Sequence, residues 1–348
     1  MKIRFLLVVL LLVTNVFSQV SVSSKHIGGV KGFKKGFLEK FKKTETIFVL
    51  STIYEIEEYQ KILDEIWTVT PFRIIDAEEF EIREFLGSKY SIAQMSGIRK
   101  EIQSESGRTY PVVYTYFDIK VYDKAMIQKK LSKMSPKKRK EKRSEIMEMY
   151  SSDIARFFLY PNDEFIEEVY KGTKQNDNIA FIVDAIFHRD VFFNYKLGFL
   201  KNYLQKINNL LEEEKLNWVY GNNFINEVAN LADETLYIPS YLLNKFNIWK
   251  KVHQMQDESY LDELFKSYEY DYELIDDNAL NDKILNGEEF YYLRYARTNS
   301  ERFIDVINSK TGEIVHSQYM IGITSNVKDK NIKELSKCVS KTRKKMNR

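Results

Sequence analysis

Apolar residues fall in two rhythms along this chain, and the order in which the rhythms follow one another occurs twice. Short β-rich runs, Ile47 to Leu50 and Leu236 to Ile238, each precede a stretch with apolar residues at helical spacing. The run "TETIFVLST" at 44–52 is echoed by "DETLYIPSY" at 233–241. After the first comes "EIEEYQKILDEIW", and after the second "QDESYLDELF". "TPFRIIDAEEF" then matches "YDYELIDDNAL": each is strand-like and ends at an Asp suited to cap a helix. "FLGSKYSIAQM" matches "ILNGEEFYYLRYA", a Gly-containing turn leading into an aromatic strand. The offsets run 189, 198 and 200, which predicts one module present twice with a single indel.

The second copy continues through two β-rich runs, Phe303 to Ile307 and Ile314 to Tyr319. They are joined by a turn at Asn308 to Gly312 containing Lys310, Thr311 and Gly312. A helix over about Asp329 to Lys341 follows, capped by Asp329, with Ile332, Leu335 and Val339 on one face. In the first copy the strand at 109–122 pairs with 153–161, so a long basic insertion replaces the tight turn. Residues 162–232 read as a helical connector. There Leu197, Leu200, Leu204, Ile207 and Leu211 share a face, and Asn162 or Asp163 caps an earlier helix. The stretch 178–193 fits either a buried helix or a strand-turn-strand. The expected fold class is therefore α/β (α+β): two related β-α-β-α-β-hairpin modules joined by a helical connector.

The first residues, "MKIRFLLVVLLLVTNVFSQV", combine a basic start with an apolar run too short to span a bilayer. A cleavable signal peptide, cut after Ser18, is expected over 1–18. The domain plan is then a loose basic segment at 19–43, a first module at 44–161 with its insertion at 124–150, the connector at 162–232 and a second module at 233–348. No transmembrane segment is expected in the mature chain. Removing Lys2 and Arg4 leaves 51 basic against 50 acidic residues, a net charge of +1, so a nucleic-acid partner is not indicated. One Cys permits no internal disulfide, and Cys338 reads as a buried structural residue on the C-terminal helix.

Little catalytic chemistry is legible. The four His (His26, His188, His253 and His316) have no metal-ligand spacing, and no phosphate loop or nucleophile elbow occurs. No catalytic residue, metal or cofactor is assigned. The acidic runs around Glu57, Glu78, Asp276 and Glu213 read as solvated helix ends. The sharpest local feature is the stretch Lys124 to Arg143, with ten Lys plus Arg and one Glu. Its candidate anion-contact residues are Lys137, Lys138, Arg139, Lys140, Lys142 and Arg143.

The segment "EEFYYLRYARTNSERFIDVINSKTGEIVHSQ" resembles the strand-hairpin part of CsgG-like periplasmic α/β domains, over about 233–340. The match rests on Asn308 with Thr311, Gly312, Glu313, Ile314 and Val315. The resemblance implies a bacterial envelope or secretion-accessory protein and carries no ligand or catalytic residue with it. The expectation is an exported, non-enzymatic binding or scaffold protein of the periplasm or outer surface, with an envelope protein or an anionic surface as partner. The alternative is a hydrolase of envelope polymer with carboxylates in a cleft between the modules.

Overall fold

The structure, a computed structural model, describes residues 19–26, 31–103, 109–174, 179–247, 249–250, 252–298, 301–322 and 326–347. The expected signal segment lies outside them. The first half contains β1 (Val20–Val22), α1 (Phe37–Phe41), β2 (Glu45–Leu50), α2 (Ile56–Ile66), β3 (Phe72–Asp76), β4 (Tyr90–Gln103) and β5 (Thr109–Tyr122). It continues through α3 (Lys124–Ser132), α4 (Pro136–Met149) and β6 (Ser151–Phe158). Three helices follow, α5 (Asp163–Lys174), α6 (Ile179–His188) and α7 (Leu197–Glu212). The second half has β7 (Asn223–Phe224), β8 (Leu236–Pro239), β9 (Asn244–Asn247), β10 (Val252–Met255), α8 (Ser259–Phe265), β11 (Tyr272–Ile275) and α9 (Asp277–Leu285). It closes with β12 (Tyr291–Thr298), β13 (Glu301–Asn308), β14 (Ile314–Ile321) and α10 (Asp329–Met346).

The fold is mixed α/β, built on two six-stranded sheets. Their orders are β1-β6-β5-β4-β2-β3 and, read from the corresponding edge, β7-β14-β13-β12-β8-β11. In each, the first strand of the βαβ unit lies parallel between its two neighbours, and the remaining strands run antiparallel. The ladders align rung by rung. Thr46 pairs with Phe72 and Ser91, and Leu236 pairs with Tyr272 and Tyr291. Thr46 and Leu236 thus hold the same rung, one residue away from the alignment that the sequence echo suggests. A one-residue slip exchanges the two faces of a strand. The structural register puts Phe48 and Leu50 in the same core as Leu236 and Ile238. A bulge also falls on one shared rung, between Ile119 and Lys120 and between Val306 and Ile307.

Local signals set most element ends. Glu55 and Glu58 form a reciprocal capping box on α2. Asp123 accepts from Met126 N to cap α3, and Asp276 caps α9 through Asn278 N and Ala279 N. Asn162, rather than Asp163, caps α5 by accepting from Phe165 N. The C-terminal helix departs from expectation: Lys328 is its N-cap residue, it runs on to Met346, and Asp329 instead accepts from Ser267 N. Cys338 is half-buried rather than buried. The ambiguous segment forms helix α6 as far as His188. Pro239 ends β8, but that strand lies inside the sheet, between β11 and β12.

Three expectations are corrected. The segment after Ser18 is not loose at its start. Gln19 to Ser23 are buried, and Val20 to Val22 pair with Ala155 to Phe157. A three-residue Val-Ser-Val strand is too short to stand out as a period. The connector is not helical throughout, because Asn223 and Phe224 form the edge strand beside β14. The face of α7 is not a single stripe. Leu197 to Leu204, Lys206 to Asn208, Leu210 and Leu211 are all buried, including Lys201 and Lys206. The helix therefore lies inside the protein, between the α2 side of one module and the α9 side of the other.

The modules meet along an aromatic seam. Phe158 stacks on Phe303 at 5.0 Å, Phe157 on Tyr203 at 4.1 Å, and Tyr160 meets Tyr295 edge-on at 5.3 Å. Each such pair contributes about 0.5–1.5 kcal/mol beyond the area it buries. A second, smaller core lies on the other face of the first sheet, where Ile127, Ile146 and Met147 cover Ile47 and Val49. The basic insertion is thus a helical hairpin seated on its sheet.

The turn between β13 and β14 is docked on α7. Asn308 Oδ1 accepts from Lys310 N and Thr311 N, and Gly312 takes a positive φ of 67°. A Cβ at Gly312 would lie 2.8 Å from the Asn202 carbonyl oxygen. Gly287 has a similar φ of 74° but nothing near its would-be Cβ. Gly287→Ala should therefore cost about 1 kcal/mol of unfolding free energy in urea, the backbone component alone. Gly312→Ala should cost about 2 kcal/mol or more, because α7 is also pushed away. Equal losses would mean that the turn does not seat on α7.

Candidate functional site

The six basic residues singled out in the insertion lie on α4, which Pro136 starts at its first turn. Lys137, Lys138, Arg139, Lys140 and Lys142 are exposed and Arg143 is half-buried. Arg139 folds back over the α3–α4 turn, donating to the Leu131 and Met134 carbonyls and bracing α4 against α3. Lys142 pairs with Glu145 at 2.6 Å. Lys137, Lys138 and Lys140 have no carboxylate partner among the described residues. The charge of the run is thus divided between bracing the hairpin and facing solvent.

The other residues singled out from sequence, Lys310, Thr311 and Gly312, form the β13–β14 turn, with Lys310 and Thr311 exposed. Their backbone is held by α7, where Gln205 Nε2 donates to the Lys310 carbonyl at 3.0 Å and Asn202 Nδ2 to the Ser309 carbonyl at 2.8 Å. Lys310 itself pairs with Glu289.

A second basic surface was missed. On α10, Lys333, Lys337, Lys341 and Lys345 recur every fourth residue, and Lys344 lies beside them. Residues four apart on a helix are neighbours, so these ammonium groups form a row climbing about 6 Å per step. The row lines an open groove of about 840 Å³ together with Lys266, Ser267, Glu269, Ser336 and Ser340. Lys337 and Lys266 each pair with one carboxylate, Glu334 and Glu263, within their own helices. The groove thus carries six ammonium groups and three hydroxyls against one lining carboxylate, a donor set suited to anionic oxygens. The signal was present as the i, i+4 spacing of "KELSKCVSKTRKK", and attention to the apolar face of that helix hid it.

A second hollow, of about 530 Å³, lies against the β9–β10 hairpin and is rimmed by Asn247, Gln254, Gln256, Tyr260 and Asn326. Trp249 stands at the hairpin tip, 88 % exposed.

His253 and His188 are bonded within the fold. His253 Nδ1 faces Asp163, and its Nε2 lies 2.9 Å from the Tyr160 hydroxyl, an order that imitates a proton relay. Tyr160 is buried among Phe193, Tyr241 and Tyr295, so no substrate reaches the end of the chain. Asp163 also accepts from His253 N, which fixes β10 to α5. His188 bonds Thr52, and Asp190 instead receives Lys196. Among the described residues no group of three or more His, Cys, Asp or Glu could hold a metal ion. Aromatic rings fill the seam between the modules, and Asp305 on β13 is fully buried.

Sequence reasoning also missed two buried ionic centres. In the first sheet Asp118 lies 3.2 Å from both Lys120 and Arg156, and the Arg156 guanidinium covers the Tyr116 ring at 3.6 Å. Lys120 reaches on to Glu148 at 2.7 Å, tying α4 to the sheet. In the second sheet Asp305 faces Arg294. Asp118 and Asp305 hold the same rung, opposite Gln94 and Arg294 respectively. Burial raises the pKa of both acids, that of Asp305 to about 6. The visible signal was a charge in the middle of a β run, "FDIKV" and "FIDVI".

Burial pushes His316 down to about 4. Its Nε2 accepts from Gln318 Nε2 and its Nδ1 has no partner. An unfolded His protonates near its ordinary value of 6.5, so the unfolded chain binds the extra proton first as the pH falls. The stability that neutral His316 contributes is complete above about pH 6.5 and is lost as pH falls toward 4. The loss amounts to about 3 kcal/mol. Asp305 acts in the opposite sense, since its raised pKa favours the folded state as pH falls through 6. The His316 component is therefore read as a difference. In urea unfolding from pH 7 to 4, His316→Gln should lose less stability than the parent chain, and parallel losses would contradict the assignment.

No protein-family model, no curated protein and no solved structure matches this chain.

Proposed function

We propose that this is an exported, non-enzymatic binding protein of the bacterial envelope that attaches to an anionic surface. The observation that carries the reading is the lysine row of α10 with its hydroxyl-lined groove. Each Lys near an anionic membrane surface contributes about 1 kcal/mol, so a row of this length suffices for reversible attachment without an inserted helix. No described helix is long and apolar enough to cross a membrane. The solvent-facing part of α4, Lys137, Lys138 and Lys140, is a second and weaker contact. Export through removal of residues 1–18 is supported by the basic start, the short apolar run and the small residue at Ser18. The likeness of 233–340 to CsgG-like domains points to the same compartment. The same reading includes an origin by duplication of one module, supported by the shared strand order, the shared bulge rung and the paired acids Asp118 and Asp305.

The test is co-sedimentation with vesicles of phosphatidylglycerol and phosphatidylcholine, with phosphatidylcholine alone as control. The protein should bind the first in a salt-sensitive manner and not the second. Reversing Lys337, Lys341 and Lys345 to Glu should weaken binding roughly a hundredfold or more. Reversing Lys137, Lys138 and Lys140 should weaken it less. Binding unaffected by the first triple reversal would overturn the reading.

A further inference from the structure

Asp305 and Arg294 face each other from β13 and β12, both fully buried, yet their pairing is incomplete. Their closest approach is 3.7 Å. Asp305 Oδ1 has no hydrogen-bond partner, and neither have Nε or the two terminal nitrogens of Arg294. The guanidinium instead lies over the Tyr203 ring at 3.6 Å. What holds Asp305 Oδ2 is the backbone nitrogen of Gln19, at 2.9 Å. The Gln19 side chain is fixed as well. Its Nε2 donates to the Arg294 and Phe303 carbonyls, and its Oε1 accepts from the Tyr203 hydroxyl. The next three residues are clamped between β6 and Asn217.

The position of Gln19 gives this contact a further meaning. In an uncut chain its nitrogen is a neutral amide with one hydrogen. Hydrolysis of the Ser18–Gln19 bond adds water across it, leaving a carboxylate on Ser18 and an α-amino group on Gln19. Near neutral pH that group is an ammonium with three hydrogens. We infer that Asp305 is the internal receptor for the α-ammonium of Gln19, and that processing completes the seam between the modules with a buried ion pair. This inference rests on the reading that residues 1–18 are removed.

The geometry needs little adjustment. The nitrogen already sits at ion-pair distance from Oδ2, and an ammonium has hydrogens to spare for the unpartnered Oδ1. An ammonium adds Coulomb attraction to the amide–carboxylate hydrogen bond it replaces, in a site where charges are poorly screened. Gln19 is completely buried once the protein has closed, so the cut precedes folding: export, cleavage, then closure around the new end. Cyclisation of an N-terminal Gln to its lactam would expel Nε2 as ammonia and delete two of the bonds described above. The docked side chain opposes that reaction.

Two measurements separate the inference from the reading beneath it. The full-length precursor is expressed with its own leader, and the exported protein is weighed intact. A chain beginning at Gln19 with its amide retained is expected. Any other first residue overturns the export-and-cleavage reading, and a mass lighter by one ammonia overturns the docked ammonium. Independently, recombinant chains beginning at Gln19 or at Ser18 are unfolded in urea. Retaining Ser18 should lower the folding equilibrium constant about tenfold. In an Asp305→Asn background the same extension should matter less than about threefold. An extension that costs nothing in the wild-type chain, or as much in Asp305→Asn, overturns the inference. The wild-type pair decides alone if Asp305→Asn does not fold.

Discussion

A largely buried helix must satisfy the polar groups it brings inside, and α7 does so by dividing its buried polar residues between two modules. Lys201 pairs with Glu65 of the first module at 2.6 Å, and Lys206 with Glu313 of the second at 2.6 Å. Asn208 Oδ1 accepts from Thr68 N and Val69 N on one side. Asn202 bonds the Ser309 carbonyl and the Tyr292 hydroxyl on the other. Gly198 lets α9 approach, for a Cβ there would lie 3.0 Å from Ile284 and 3.1 Å from the Asn281 carbonyl oxygen. Removing either carboxylate alone, Glu65 or Glu313, would leave a buried ammonium without its partner, which costs several kcal/mol. The two modules are therefore held to one helix by buried polar groups of α7 that bond to each of them, and the aromatic seam closes around it.

Within that frame the sheets solve one problem in two ways. Each carries an acid at the same rung of its third antiparallel strand. The first module compensates Asp118 from within, using Lys120 and Arg156. The second leaves Asp305 under-compensated and receives Gln19 from the far end of the chain. The asymmetry places the start of the described chain at the heart of the opposite module. It makes β1 a structural strand in spite of its three residues.

How much of this was legible follows the strength of each local signal. The βαβ order, the β13–β14 hairpin and the replacement of its counterpart by a long basic insertion were readable, because each rests on periods, turn residues or a charge run several positions long; that the insertion folds as a helical pair was not. The register of the echo was misread by one residue: Thr46 and Thr235 match in letters, whereas Thr46 and Leu236 match in ladder position. Alternation alone cannot tell these apart in a strand buried on both faces. Strands β1 and β7 were too short to show a period. The burial of Lys201 and Lys206 was not legible, since their partners Glu65 and Glu313 lie more than a hundred residues away. The lysine row of α10 was visible but overlooked beside the denser run on α4. Of the charges on α4, Arg139 turned out to brace its own hairpin and Lys142 to pair within the helix.

The interior holds charges that fix geometry, and the surface holds the lysines of α4 and α10. That division depends on the two modules and α7 behaving as one cooperative unit. Native-state hydrogen exchange in low denaturant measures this most directly. The amides of α7, β5 and β13 should exchange at one common free energy, equal to that of global unfolding. Separate exchange of β13 with the second module, while α7 stays protected with the first, would contradict the account.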